Sequence, residues 1–232
     1  MGNLYIVATP IGNLQDISLR ALKTLESVDF IACEDTRTTS ILIKKYFETN
    51  PKQILDKMFS YYEQTEKQKI PHIVDMLLEG KNIALVSDAG TPTISDPGFK
   101  LVRECIAHKI KVISIPGASS AISALVSSGL PTDKFTFLGF LPQKEGHRLS
   151  LLKNALESEK NLSTTIIFFE SPHKLKRTLE DMLKVFGNIN ITIARELTKI
   201  HEEIKQGNLK ELVEEYSIKK ARGEIVILFN LQ

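Results

Sequence analysis

The sequence predicts an α/β protein in two domains, and three observations lead there. Short apolar runs rich in β-branched residues recur along the chain, segments of helical period lie between them, and a Gly/Pro/Asp break interrupts the alternation near the middle. A run that is apolar at every position is the pattern of a strand buried on both faces of a sheet. Strands that alternate with helices build a largely parallel layer. At 232 residues, 42% hydrophobic and 25% charged, the chain is long enough to bury a stabilising core in one large domain or two small ones.

In order along the first half, the strands are LYIVA at 4–8, FIAC at 30–33, IALVS at 83–87 and VISI at 112–115. The segment 16–28 brings Leu19, Leu22 and Leu25 to one helical face. The segment 71–79, which Pro71 can open, does so with Ile73, Val74, Leu77 and Leu78, and 97–108 with Leu101, Val102, Cys105 and Ile106. The break SSGLPTDKF at 127–135 sets the expected boundary, with domains 1–130 and 131–232. Beyond it come the strands FTFLGF, TTIIFF at 164–169, ITIA at 191–194, one near 200–206, and EIVILF at 224–229. Helices are expected at 147–157, 172–186 and 209–219. Ser171 with Pro172 signs the start of the second, Gly187 its end, and Asn208 with Glu211 a capping box for the third.

Composition excludes several classes of function. Thirty basic and 28 acidic side chains leave a net charge of +2, so an anionic partner has to be met by a local patch. Cys33 and Cys105 are the only cysteines and make no C-x-x-C pair, and the five histidines form no H-E-x-x-H, so neither a disulfide framework nor a metal site is expected. No apolar run approaches the ~20 residues of a membrane helix. The opening MGNLYIVATP reads as a first strand and not as a signal peptide, and the expected location is the cytoplasm. Neither G-x-G-x-x-G after the first strand nor a G-x-x-x-x-G-K-[ST] loop is present, which removes the common dinucleotide and phosphate-cradling sites.

Three rigid turns fall at the carboxyl ends of predicted strands: ATPIGN, DAGTPTISDPG and PGASS. Ligands of open α/β sheets bind there, where loops bring backbone groups together, so the three turns predict one shared site. Each piece also has a plainer reading. Asp96-Pro97 resembles an N-cap with a first-turn proline, Asp88 can form a turn through its own side chain, and Ser119 and Ser120 can cap a helix. ACEDTRTTSILIKKYF at 32–47 reads either as a salt-bridged helix start or as a loop that touches a large polar substrate, through Glu34, Asp35, Arg37, Lys44 and Lys45.

VATPIGNLQDISLRAL, CEDTR, VSDAGTPTISDPG, IPGASSAISAL with GFLP, and FFESPHKL occur in this order between residue 4 and about residue 229. Together they resemble the bacterial small-subunit ribosomal RNA methyltransferase I group of the tetrapyrrole-methylase superfamily. The resemblance implies two α/β domains with a cofactor cleft between them, S-adenosyl-L-methionine as donor, a homodimer, and metal-free 2′-O-methylation of a cytidine in the decoding region of 16S rRNA. By motif, the donor site would use Pro10, Thr91, Pro92, Ile94, Ser119, Ser120, Ala121, Phe169 and Ala194, with Asp88 added by position. Among Asp88, Asp96, Glu170 and Glu196, the acids expected to assist proton removal are Asp96 and Glu170. Arg37 or Arg195 would hold phosphate, with Lys44 and Lys45 nearby. Many members of the group continue into a small helical segment after the last strand, whereas this sequence stops at ILFNLQ. RNA contact is then expected from the dimer partner or from the 32–67 region. Two other readings are methylation of a tetrapyrrole and a non-catalytic RNA-binding role in ribosome assembly.

Overall fold

A computed structural model of the chain describes residues 1–231, Lys160 by its backbone alone. Two compact units result, Met1–Ser119 and a second that begins at Ser120. Residues 120–130, expected with the first domain, belong to the second.

The first unit is a five-stranded sheet with helices on both faces. Its elements are β1 (Asn3–Val7), α1 (Leu19–Ser27), β2 (Phe30–Cys33), α2 (Thr36–Tyr46), α3 (Pro51–Leu55), β3 (Met58–Ser60), α4 (Glu63–Leu78), β4 (Ile83–Val86), α5 (Phe99–Ala107) and β5 (Lys111–Ile115). The strand order is β3-β2-β4-β1-β5, and every pairing is parallel. Alternate residues of each buried strand serve opposite cores. Ile83 and Leu85 pack with Ile73, Leu77, Leu101 and Cys105 of α4 and α5. Ala84 and Val86 pack with Leu25, Leu42 and Ile43 of α1 and α2. This is why β4 reads as apolar without a break.

Three local expectations are corrected. β3 was not foreseen because it is a three-residue strand at the sheet edge. Pro71 does not open its helix but lies inside α4, which starts at Glu63. Asp96 is not the cap of α5; that position is Gly98, at φ 128°. A Cβ on Gly98 would fall 2.5 Å from Leu85 Cδ2, so close packing on β4 as well as backbone geometry requires glycine.

The second unit comprises α6 (Ser120–Ser127), β6 (Phe135–Phe140), α7 (Glu145–Leu162), β7 (Thr165–Glu170), α8 (Leu175–Phe186), β8 (Asn190–Arg195), β9 (Glu203–Asn208), α9 (Leu209–Ile218) and β10 (Ile225–Phe229). Its sheet is mixed, in the order β6-β7-β10-β8-β9, and only β6 and β7 run parallel. Helices α7, α8 and α9 cover one face through Leu152, Leu179, Met182 and Leu212, and α6 packs on β7 and β10. Arg148 and Asp181, each 2% exposed, form a buried ion pair at 2.5 Å, and the Arg148 Nη1 also donates to the carbonyls of Pro142 and Gln143. Asn208 caps α9 as expected, accepting the Glu211 N–H at 3.1 Å, and Gly187 ends α8 at φ 72°. Ser171 does not cap α8. Its carbonyl instead accepts the Lys174 and Leu175 N–H groups in a turn ahead of the helix. No helix among the described residues is long and apolar enough to cross a membrane.

Candidate active site

At the carboxyl ends of β1, β4 and β5 the three predicted turns are stitched into one structure. Thr9 and Gly90 exchange both backbone hydrogen bonds, at 2.8 and 3.0 Å, and the Thr9 hydroxyl donates to the Ser87 carbonyl at 3.1 Å. The Thr91 hydroxyl donates to the Ala118 carbonyl at 3.1 Å, and a Cβ on Gly117 would lie 2.9 Å from that of Ala8. Thus each turn is held by the other two. In the sheet order, β1 and β4 are neighbours whose connections lead to strands on opposite sides, β2 and β5, the arrangement that opens a ligand crevice in a doubly wound sheet.

The loop after β4 carries strain. Thr93 sits at φ 77° and Ser95 at φ 64°, left-handed values that are costly for a β-branched residue in particular. Between them Ile94 is 46% exposed, held in a turn by its N–H to the Thr91 carbonyl. Pro10 and Pro92 are buried beside this loop's anchors, while Thr91 and Ser119 are half-buried. Among the described residues the Ser119 and Ser120 hydroxyls meet no hydrogen-bond partner, which leaves them available to a ligand.

A second group of side chains gathers after β2. The Asp35 N–H donates to Asp88 Oδ1 at 3.1 Å and the Asp88 N–H to Glu34 Oε2 at 3.2 Å, so the β2 and β4 ends are tied through their acids. Asp35 caps α2 and is paired with Arg37 at 2.6 Å; that bond and the Arg37 N–H hold its carboxyl down to about 2. Asp96 differs. Burial, then the charge of Glu34 and more weakly that of Asp88, push its carboxyl up to about 6, against a smaller opposing effect of the Ser87 hydroxyl. Asp88 is raised as well, by burial first and then by the charges of Glu34 and Asp35. The Arg37 side chain is 89% exposed, and Lys44 and Lys45 are exposed on the last turn of α2.

In the second unit the candidates fare unequally. Phe169 is half-buried near the end of β7, edge-on to Phe137 and Phe140 at 4.8 and 5.4 Å. Ala121 is buried in α6 and Ala194 in β8. Glu170 is 3% exposed, and both its oxygens are engaged: Oε1 accepts the Ser171 N–H at 2.7 Å and Oε2 the Thr178 hydroxyl at 2.5 Å. That geometry ties the end of β7 to α8 and gives this buried carboxylate a structural role. In Glu196 a single oxygen, Oε1, accepts both Lys199 at 2.9 Å and the Glu224 N–H at 3.0 Å, and the carboxyl is lowered chiefly by Lys199. Arg195 donates to Glu203 at 3.2 Å and to the Arg222 carbonyl at 3.3 Å.

Sequence reasoning missed Thr9, whose part is played by its backbone and hydroxyl, and Glu66, which accepts the Gly98 N–H from a charged stretch of α4 with no motif around it.

The tetrapyrrole (corrin/porphyrin) methylase family model matches residues 3–213. Proteins named ribosomal RNA small subunit methyltransferase I are close relatives. The one from Halalkalibacterium halodurans is 47% identical over 227 residues, covering 98% of this chain and 75% of that protein. The one from Thermotoga maritima is 45% identical over 230 residues, 99% of either chain. Among solved structures, a diphthine synthase superposes with a TM-score of 0.73 at 13% identity, covering 98% of this chain and 90% of that one. A uroporphyrin-III C-methyltransferase from Thermus thermophilus, complexed with S-adenosyl homocysteine, superposes with 0.61 at 13% identity over 98% and 97%.

Proposed function

The chain belongs to the tetrapyrrole methylase family, and on that premise we propose that it is an S-adenosylmethionine-dependent rRNA methyltransferase acting on a cytidine 2′-hydroxyl in the decoding region of 16S rRNA. The observation that carries the reading is the three-loop knot at the ends of β1, β4 and β5, with the Asp96 carboxyl raised to about 6 beside it. The names of the rRNA-modifying relatives support the substrate class.

The residues present suit the donor. An exposed apolar Ile94 and, elsewhere in the set, the Ser119 and Ser120 hydroxyls are residue types that suit a ligand combining an aromatic base with a polar ribose and amino-acid tail. In the proposal Pro10, Thr91, Pro92 and Asp88 complete that contact, with Ala121, Phe169 and Ala194 from the second unit. The donor supplies a sulfonium methyl, an electrophile with its leaving group built in. The chain's work is then alignment of the 2′-oxygen with that methyl, the larger share of the rate gain, and removal of the hydroxyl proton. Asp96 takes the proton. Its burial and the neighbouring Glu34 charge raise its basicity to the range where a general base works near neutral pH. Glu170 is left out of this role in the proposal because it is 3% exposed and its carboxylate joins β7 to α8 through Ser171 and Thr178. Arg37, 89% exposed although paired with Asp35, and the exposed Lys44 and Lys45 contact RNA phosphates, whereas Arg195, paired with Glu203, is 19% exposed. The proposal includes a homodimer working in the cytoplasm, and sedimentation of the purified protein checks the dimer.

The test is transfer of radiolabelled methyl from S-adenosylmethionine to purified small subunits and to bare 16S rRNA, followed by nuclease mapping. Label in one 2′-O-methylcytidine is the expected result. Donor binding without label on either RNA, but with label on a tetrapyrrole, would move the assignment to the ring-methylating members of the family.

A further inference from the structure

Helix α5 starts without a cap of its own, because its N-cap is Gly98. The Gly98 N–H is buried and is accepted at 3.0 Å by Oε1 of Glu66, which lies on the first turn of α4 and is 3% exposed. The same oxygen accepts the Tyr61 hydroxyl at 3.0 Å, and Oε2 takes the Lys100 ammonium at 2.6 Å. Three donors, from the end of β3 and from the start of α5, therefore converge on one carboxylate. It also lies against the positive end of the α5 dipole. Burial alone would raise its pKa, yet these bonds leave it lowered, so it is the charged form that occupies this place.

The segment that ends at Gly98 is the strained one. From Gly90, pinned to Thr9, to Gly98, pinned to Glu66, the backbone passes through Thr93 and Ser95 at positive φ, with the Ile94 to Thr91 turn as its one internal backbone bond. A strained loop keeps its shape only when its ends are over-determined by their surroundings. Packing of α4 on α5 does not need an acid there, since Ile70, Ile73, Leu101 and Cys105 already join those helices to the core. Burying a carboxylate where apolar groups would serve is expensive unless it does something they cannot. What it does is hold one backbone N–H at the exit of the loop.

We propose that Glu66, with Tyr61 and Lys100 as its own supports, is a positioning residue for the donor-binding loop 91–97. The inference rests on the assignment of that loop to the donor and deepens it: Glu66 touches no substrate and sets donor affinity through Gly98.

Glu66→Gln keeps the size and one acceptor oxygen but loses the charge. Two readings follow, the dissociation constant for S-adenosylmethionine by calorimetry and hydrogen exchange of the 91–98 amides with no donor present. Expected are a rise of about tenfold in the constant and exchange about tenfold faster in that loop, while β1 and β4 amides stay as in the wild type. Lys100→Gln, at a half-exposed position, should fold normally and give about a threefold change in both. An unchanged loop and constant in Glu66→Gln, or exchange accelerated uniformly through the unit, would make Glu66 a core acid only and overturn the proposal. If Glu66→Gln does not fold, an unchanged loop in Lys100→Gln overturns it equally. Failure of the wild-type protein to bind the donor, with loop exchange still altered in the variants, would overturn the donor assignment and leave the positioning role standing.

Discussion

Thr93 and Ser95, after β4, and Glu196 and Thr198, after β8, all sit at positive φ, so both units spend backbone energy on a loop at a strand end. Around the second loop every acid has a partner. Glu196 is held by Lys199 and by the Glu224 N–H, Lys199 also reaches Glu224, and the Thr198 N–H donates to Glu202. Gly223 sits there at φ 82°, a conformation that favours glycine, and a Cβ on it would also meet the Glu196 side chain. Around the first loop, Glu34, Asp88 and Asp96 act on one another as like charges, and Arg37 is paired with Asp35. Strain is thus common to the loop proposed to bind the donor and to one with paired acids. The charge balance is what separates them: a paired acid holds a fold together, and an uncompensated one can accept a proton.

The comparison is broken most directly by Asp96→Asn. Loss of a general base predicts a fall of about 10²- to 10⁴-fold in kcat with donor affinity kept, read by single-turnover methyl transfer. If transfer persists at the wild-type rate, the crowded loop is no more reactive than the paired one. The pH profile sharpens the same point. With a carboxyl at about 6, the rate should rise about tenfold per pH unit below 6 and level off above it, and this limb should vanish in Asp96→Asn.

Glu170→Gln tests the opposite member of the pair of acids. It weakens the acceptor of the Ser171 N–H and the Thr178 hydroxyl in a buried site, so about 1–3 kcal/mol of stability should be lost in urea unfolding while the rate per folded molecule stays unchanged. Asp96→Asn should move stability the other way. A carboxyl whose folded pKa is raised stabilises the fold only where it is protonated, so its charged form costs stability as pH rises from about 4 through 6. Removal of that charge should stabilise the protein at pH 8 by on the order of 1 kcal/mol, allowing for screening by water at this half-buried site, and the gain should fade below pH 4. Smallest of all, Thr93→Gly should relieve left-handed strain and recover under about 1 kcal/mol, offset in part by added freedom in the unfolded chain.

Much of this was legible beforehand because the signals are local. LYIVA, FIAC, IALVS and VISI announce themselves as doubly buried strands, and ATPIGN, DAGTP and PGASS mark turns by their prolines and glycines whatever surrounds them. β3 escaped because a three-residue edge strand has no period to read, and α4 was started late because a proline is far more favourable in a first turn than in a helix interior, where Pro71 nonetheless lies. The two acids expected to assist proton removal, Asp96 and Glu170, have the same chemistry in sequence and different surroundings in space.

The sequence by itself determined the α/β class, the family, the three turns and the residue types available to the donor and to a base. Periodicity, turn chemistry and motif order act over a few residues and survive without the fold. Only the tertiary structure decided that Thr9 clamps Gly90, that Glu66 reaches Gly98 from 32 residues away, and that Glu170 is consumed while Asp96 is left uncompensated. Burial and the distance to the next charge set an acid's proton affinity, and both are properties of packing between segments far apart in the chain.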